Sequence, residues 1–327
     1  ALNLMHPLRV AGFLLAALTL SSCVSSAMYT SRVETRHPPE GEFVSLETGQ
    51  LHLVDQGDGA PVLMIHGASA NVREFMITLV PELQDNQLRL LIPDRPGHGY
   101  SDRFEDADQL GEQASAFANA VRQRTDEPVV VVGHSFGGAV ALRFALDYPE
   151  LTRSVVLIAP VTHDWGSGGI TWYNQAAALP VIGYPFSHIA PLVGPSAARS
   201  SLTNLFAPAP VPDDYAERLG VDLLFRPPNF RANAHDMVSL QSEIQKQDDR
   251  YAGELAVKVV VFSGSGDTVI KPALHAARLK RELPDNVVLV KLDDEGHMPH
   301  HQKAPMIADT ISRLARGESV QLSDFET

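Results

Sequence analysis

Short apolar runs along this chain alternate with longer segments whose apolar residues recur every three to four positions. The runs have the length of strands buried on both faces, and they are Val62–Ile65, Pro128–Val132, Ser154–Ala159, Val257–Phe262 and Val287–Leu292. The segments with helical spacing are Asn71–Leu83, Gln109–Arg124, Gly138–Tyr148, Pro272–Leu283 and Lys303–Arg316. Glu42–Leu46 and Leu51–Asp55 alternate like two antiparallel edge strands. Strands that alternate with helices predict an α/β fold with a doubly wound, mostly parallel sheet.

The sequence Gly133-His134-Ser135-Phe136-Gly137 directly follows the strand Pro128–Val132 and precedes a predicted helix. A serine at the tip of such a turn has a strained backbone, and glycines two residues before and after it avoid clashes with the neighbouring elements. The hydroxyl then lies at the positive end of the helix. The pattern predicts that Ser135 is a nucleophile rather than an ordinary turn serine.

Around this turn the chain resembles the α/β-hydrolase family, and the resemblance covers about Gly41 to Arg316. In that family the catalytic residues follow in the order nucleophile, acid, histidine. Asp267 and His297 each come directly after a predicted strand, so we expect both at the same sheet edge as Ser135. The resemblance implies that His297 is the general base and Asp267 its orienting carboxylate. Asp164 is the alternative acid, because some members carry theirs after the sixth strand.

Two further segments resemble structural parts of the same family. His66-Gly67-Ala68-Ser69 follows the strand Val62–Ile65 and resembles the oxyanion loop. The resemblance implies that the backbone N–H groups of Ala68 and Phe136 hold the oxyanion. The segment Asp94–Ser101 resembles the turn after the next strand, and we expect a structural rather than a chemical role for its His98.

Between about His163 and Arg250 the alternation of strands and helices stops. This stretch is rich in proline and alanine and contains nine aromatic residues. The family commonly inserts a helical cap here, after the sixth strand, and the aromatic content argues against a disordered insertion. A largely apolar cap would form the upper wall of a substrate pocket and exclude water. It favours a substrate with a hydrophobic acyl or alkyl group.

The chain has a formal net charge of −13, which bears on the macromolecular partners that we expect. An acidic chain without a basic cluster does not favour nucleic acid or an anionic membrane surface as a partner.

The sequence also bears on cofactors and metals. No P-loop and no dinucleotide fingerprint occurs, so we expect no cofactor. His300 and His301 lie close to His297 but lack the i, i+4 spacing with a nearby acid that zinc hydrolases use. We therefore expect no metal and interpret both histidines as part of a loop and a helix start.

The amino-terminal residues resemble a secretion signal. Met5–Arg9 is a short basic start and Val10–Leu20 an apolar run too short for a stable transmembrane helix. Leu20-Ser21-Ser22-Cys23 resembles the lipobox of bacterial lipoproteins, and Cys23 is the only cysteine, so lipidation is its expected role. We expect an enzyme that is lipid-anchored in the bacterial cell envelope. Cleavage after Ala27, which would give a secreted soluble protein, is the alternative.

These observations divide the chain into four predicted parts. Residues 1–22 are a signal segment, 23–40 a tether, 41–162 with 251–327 the hydrolase core, and 163–250 the cap. The resemblance implies a serine hydrolase that cleaves carboxylic esters through an acyl-enzyme. A carbon–carbon bond hydrolase of ring-cleavage products or a lactonase remains open, because these relatives share the same triad. A non-catalytic binding protein on the same fold is the third alternative, since a fold alone does not establish a function.

Overall fold

The computed structural model describes residues 21–84, 87–166 and 168–325. The strands in these ranges are β1 (Glu42–Leu46), β2 (Gly49–Gln56), β3 (Ala60–Ile65), β4 (Leu88–Pro93), β5 (Val129–His134), β6 (Thr152–Ile158), β7 (Val259–Gly264) and β8 (Val287–Leu292). They form one sheet in the order β1-β2-β4-β3-β5-β6-β7-β8. β1 and β2 pair antiparallel at one edge, β2 is antiparallel to β4, and every later pairing is parallel. This confirms the predicted doubly wound, mostly parallel sheet.

Helices cover both faces of the sheet. Those of the described ranges are α1 (21–36), α2 (Arg73–Met76), α3 (Val80–Leu83), α4 (Leu110–Arg122), α5 (Phe136–Asp147), α6 (Trp172–Ala178), α7 (Gly183–Ser187), α8 (Ala190–Phe206), α9 (Tyr215–Leu219), α10 (Pro227–Gln247), α11 (Tyr251–Glu254), α12 (Ala276–Glu282), α13 (Pro299–Gln302) and α14 (Ala304–Ala315). Val129 and Val131 of β5 pack with α4, α5 and α12, whereas Val130 and Val132 pack with α2, α3 and α14. Successive side chains of β5 point alternately into two apolar layers, which explains why every position of this run is apolar.

The predicted helix Asn71–Leu83 is two short helices, α2 and α3, with a break between them. Pro81 stands in the first turn of α3 and has no N–H to donate to the preceding turn, so a continuous helix would lack that hydrogen bond. The predicted helix Pro272–Leu283 likewise begins later, at Ala276.

The predicted helical cap is confirmed between β6 and β7. Helices α6 to α10 lie there and enclose their own apolar cluster, which includes Phe206, Tyr215 and Phe230. The cap is joined to the core by Asp236 of α10. Its carboxylate lies 2.6 Å from Nη1 of Arg95 and 2.7 Å from Nη1 of Arg103, and both Arg95 and Asp236 are fully buried. The cap is therefore held over the carboxyl edge of the sheet by buried charges.

Residues 23–40, expected to form a tether, are helical up to residue 36 and pack along the cap. The Tyr29 hydroxyl donates to the backbone oxygen of Asp222, Arg226 pairs with Glu34 at 2.8 Å, and Val33 is buried. Residues 23–36 are therefore part of a packed helix and not the free tether that we expected. In the part of the chain that the structure describes, no helix has both the length and the apolarity to cross a bilayer. Residues 1–20 of the expected signal segment lie outside the described residues.

Candidate active site

Ser135 stands between β5 and α5 with a φ of +51° and a ψ of −116°. This is a conformation that side-chain-bearing residues rarely adopt, and the close packing around the turn maintains it. A Cβ on Gly133 would overlap the backbone oxygen of Gly137, and a Cβ on Gly137 would overlap the backbone oxygen of Ile65. The glycines on either side of the serine are therefore required by close approach, as predicted from the sequence.

The structure brings Ser135, His297 and Asp267 into one hydrogen-bonded chain. Nε2 of His297 lies 3.0 Å from Oγ of Ser135, and its Nδ1 lies 2.8 Å from Oδ2 of Asp267. All three side chains are buried beneath the cap. The other carboxylate oxygen of Asp267 accepts the backbone N–H groups of Val269 and Ile270, each at 2.8 Å, so the carboxylate has a fixed orientation.

Asp164, the alternative acid, is engaged elsewhere. Its carboxylate accepts hydrogen bonds from the side-chain amides of Gln241 and Gln245 on α10, each at 2.9 Å, and from the backbone of Gly166. These contacts tie the first residues of the insertion to its longest helix. The geometry thus favours Asp267 as the partner of His297.

The surroundings of His297 keep its ring neutral. Burial lowers the pKa of His297 below its ordinary value of 6.5, and the nearby His134 acts in the same direction, while the hydrogen bond to Asp267 partly opposes both. A neutral imidazole with Nδ1 donating to a carboxylate presents a free lone pair at Nε2, which faces the serine hydroxyl. The arrangement can accept a proton from Ser135 at neutral pH.

The loop that carries Ala68 is positioned by hydrogen bonds from several elements. The Gly67 N–H donates to Glu74 at 3.2 Å, and the Ser69 N–H donates to the side chain of Asn233, a cap residue, at 2.8 Å. Neither the Ala68 nor the Phe136 N–H donates to another residue in the described ranges. Two unpartnered donors of this kind are what an oxyanion would need.

His66 belongs to the same loop, and the ring of His98 packs against the ring of His66. His66 donates from Nδ1 to the Gly67 oxygen and accepts the Arg95 N–H at Nε2. Burial lowers the pKa of His66 to about 4, so the ring is neutral. His98 is buried 3.2 Å from the Arg95 guanidinium, consistent with the structural role expected for it.

A buried pair beside His297 was missed by the sequence analysis. Nδ1 of His134 lies 2.8 Å from Oε1 of Glu74, and Nε2 of His134 donates to the backbone oxygen of His297 at 3.0 Å. Burial disfavours the charge on both groups, but their attraction outweighs it: the pKa of His134 is raised and that of Glu74 is lowered. The pair thus supports the loop of His297 from the side away from Asp267.

Within the described ranges, Glu74, His134 and His300 form a group that could also hold a metal ion, since one donor atom from each lies within 4.8 Å of the others. Two ligands of one zinc ion are separated by about 3.3 Å, given metal–ligand bonds near 2.0 Å and tetrahedral angles. Glu74 and His134 are closer than that, at 2.8 Å, and their geometry is that of an ion pair. His300 therefore stands beside this pair, at the start of α13, where the sequence predicted a helix start.

Cys23 lies in α1, half-buried and with a free thiol. It lines a groove of about 600 Å³ between α1 and the cap, together with Ser26, His188 and Pro227. The groove is separate from the Ser135 turn, and none of its lining residues belongs to the hydrogen-bonded chain described above.

Comparison with known proteins places this chain in a family. The model of the alpha/beta hydrolase family matches residues 62–309. A protein of Rhodobacter capsulatus named magnesium-chelatase 30 kDa subunit is 30% identical over 267 residues, which are 79% of this chain and 88% of the relative. The 2-hydroxymuconate semialdehyde hydrolase of Pseudomonas sp. (strain CF600) is 35% identical over 138 residues, 41% of this chain and 46% of the relative.

Among solved structures, an esterase from Exiguobacterium antarcticum superimposes with a TM-score of 0.67 at 20% identity, covering 84% of this chain and 99% of the esterase. At that identity the likeness shows the fold alone. The family match runs from within β3 through the loop of Ala68, the Ser135 turn and the cap to the His297 loop and α14. The chain therefore belongs to the alpha/beta hydrolase family.

Proposed function

We propose that this protein is a serine hydrolase that cleaves carboxylic esters through an acyl-enzyme. The observation that carries the proposal is the pair of distances around His297, 3.0 Å to the Ser135 hydroxyl and 2.8 Å to the Asp267 carboxylate. A serine hydroxyl is a weak nucleophile until a neighbouring base removes its proton. In α/β-hydrolases a nucleophile, an orienting acid and a histidine base follow in this chain order and act as one unit.

The mechanism assigns one step to each group. His297 takes the proton of Ser135 as the serine oxygen attacks the ester carbonyl, and the Ala68 and Phe136 N–H groups hold the resulting oxyanion. The C–O bond to the alcohol then breaks, and the alcohol leaves with the proton from His297. Water, deprotonated by His297, then attacks the acyl-enzyme. The C–O bond to Ser135 breaks, the serine oxygen regains the proton from His297, and the acid is released. Asp267 stabilises the imidazolium that forms in each half of the cycle.

The apolar surroundings favour a substrate with a hydrophobic acyl or alkyl group. Met298, next to His297, is buried in the same cluster as the cap residues Phe206 and Tyr215. His301 packs edge-on against both aromatic rings. An ester that enters beside His297 would meet apolar walls on the cap side.

Hydrolysis of a carbon–carbon bond is the second candidate, because a relative named 2-hydroxymuconate semialdehyde hydrolase matches 41% of this chain. A panel of p-nitrophenyl esters of rising chain length, a lactone and a ring-cleavage diketone separates the candidates. We expect turnover of the esters, with longer acyl chains preferred. Turnover of the diketone alone would replace ester hydrolysis by carbon–carbon hydrolysis, and no turnover of any substrate would favour a binding protein.

We also propose that Cys23 carries the lipid anchor and that the enzyme lies in the bacterial cell envelope. The position of α1 supports this site over cleavage after Ala27. Processing before Cys23 leaves the Ser26–His188 hydrogen bond of 2.8 Å intact, whereas cleavage after Ala27 removes it. Tyr29 and Val33 remain on the cap in either case.

A further inference from the structure

The outer surfaces of α6 and α7 have an inverted distribution of residues, with small or polar side chains buried and large apolar ones exposed. In α6 the buried positions are Asn174 and Ala177, whereas Trp172 is 71% exposed. In α7 the buried positions are Gly183 and Ser187, whereas Tyr184 is exposed. A helix in water places its large apolar residues inward, so this arrangement indicates that something other than water covers the outer surface.

We define the cap face as the eight apolar or aromatic side chains of this surface that are 46% to 83% exposed, namely Trp172, Leu179, Val181, Ile182, Tyr184, Ile189, Leu192 and Val193. No Asp, Glu, Lys or Arg occurs in the 34 residues from Trp165 to Ala198. The chain as a whole is 20% charged, so a stretch of this length would ordinarily carry about seven such residues. The cap face is thus large, apolar and free of the charges that keep a surface soluble.

The position of the amino-terminal helix α1 indicates what covers the cap face. The first turns of α1 lie against this part of the cap, since Ser22 donates to the His188 backbone oxygen at 3.2 Å and Ser26 lies 2.8 Å from the His188 ring. Cys23, the proposed site of lipid attachment, therefore joins the folded protein beside the cap face. Exposed tryptophan and tyrosine on one side are typical of proteins that lie at a bilayer interface.

We propose that the cap face inserts into the interfacial region of a lipid bilayer. Because the chain carries a net charge of −13 and the face has no basic residue, apolar burial rather than electrostatic attraction holds it there. The proposal predicts binding to zwitterionic lipid that is insensitive to salt. It goes beyond the proposed ester hydrolysis and does not depend on it.

The test uses tryptophan fluorescence of the full chain on phosphatidylcholine vesicles with brominated acyl chains. The chain has two tryptophans, Trp165 and Trp172, and bromine quenches only rings that enter the bilayer. We expect the emission of the wild-type chain to be quenched at least about twofold more than that of Trp172→Phe. Equal quenching of the two chains, or failure of the wild-type chain to sediment with excess vesicles, would overturn the proposal.

A matched pair of variants separates the cap face from the anchor. The double variant Val181→Asp/Leu192→Asp should lose the quenching, whereas Leu322→Asp, a control at a residue 46% exposed outside the cap, should keep it. Shielding of Trp172 from a water-soluble quencher without vesicles, through dimerisation or through coverage by Val10–Leu20, would also overturn the proposal. Turnover of a soluble p-nitrophenyl ester by the same samples tests the proposed function separately, and Val181→Asp/Leu192→Asp should leave it unchanged.

Discussion

Ser135, Asp267 and His297 lie on three different loops, and Ser135 and His297 are 162 residues apart in the chain. Each loop nevertheless follows the carboxyl end of a strand, so all three lie at the same edge of the sheet. The positive φ of Ser135 is a strained conformation that stores about 1–3 kcal/mol. The close approach of Gly133 and Gly137 to neighbouring backbone keeps the turn tight enough to hold that strain. The serine hydroxyl is thereby held 3.0 Å from His297 before any substrate binds.

The first prediction at this scale concerns pH. His297 must be neutral to accept the serine proton, and burial lowers its pKa below 6.5. A lowered pKa keeps the neutral form present at a lower pH, so kcat/KM should remain high into mildly acidic buffer and fall only below about pH 6.5. The pH profile of kcat/KM for a soluble ester checks this. An acid limb centred well above neutrality would show that another group is the base.

The second prediction separates the two candidate acids. Asp267→Asn keeps the shape of the side chain but disfavours the imidazole tautomer that can accept the serine proton, a change that costs about ten-thousandfold in kcat for serine proteases. Asp164→Asn only weakens contacts to Gln241 and Gln245 and should leave kcat within about tenfold of the wild type. Steady-state kinetics of both variants decide the question. A near-inactive Asp164→Asn beside an active Asp267→Asn would reverse the assignment.

At the scale of elements, the sequence predicted those features that depend on residues close together in the chain. The strands, the Ser135 turn and the order of the site residues all follow from short segments. Glu74 was missed because it lies in a one-turn helix without a motif and meets His134 only through the tertiary fold. The helix α1 was missed because its two buried positions, Ser26 and Val33, include a single apolar residue, which leaves almost no periodic signal.

The attachment of the cap to the core gives a prediction at this scale. Asp236 lies between the guanidinium groups of Arg95 and Arg103, and Arg95 is fully buried. Asp236→Asn would leave a buried cation without its partner and should reduce the free energy of unfolding by about 3–5 kcal/mol. Asp214→Asn is the control, because its pair with Arg218 is exposed and contributes about 0–1 kcal/mol. Urea denaturation compares them, and equal stability of the two variants would contradict the buried-pair account.

At the scale of the whole molecule, α1 connects Cys23, the proposed site of lipid attachment, to the cap instead of forming a dispensable spacer. A chain that starts near Glu40 would lose the contacts of Tyr29, Val33 and Glu34 and expose the part of the cap that they cover. The proposed membrane attachment and the packing against the cap therefore belong to the same segment of the protein. The cap face would turn toward the bilayer, the phase in which apolar esters dissolve.

The prediction at this scale concerns Cys23. If Cys23 carries the lipid, the native protein should sediment with membranes and be released by detergent, because several acyl chains together anchor a protein stably. Cys23→Ser should block lipid attachment and leave the rest of α1 on the cap, since serine is close to cysteine in size. Mass spectrometry of the mature chain checks both statements. A chain that begins after Ala27 and carries no lipid would instead indicate a secreted soluble enzyme.

The central claim, that Ser135 forms an acyl-enzyme, is tested most directly by covalent labelling. A fluorophosphonate should attach to the peptide that contains Ser135, and mass spectrometry should locate the adduct on that residue. Ser135→Ala should abolish the adduct and lower kcat on the order of a millionfold, as loss of the nucleophile does in a serine-protease triad. An adduct on another residue, or ester turnover by Ser135→Ala within about tenfold of the wild type, would contradict the mechanism.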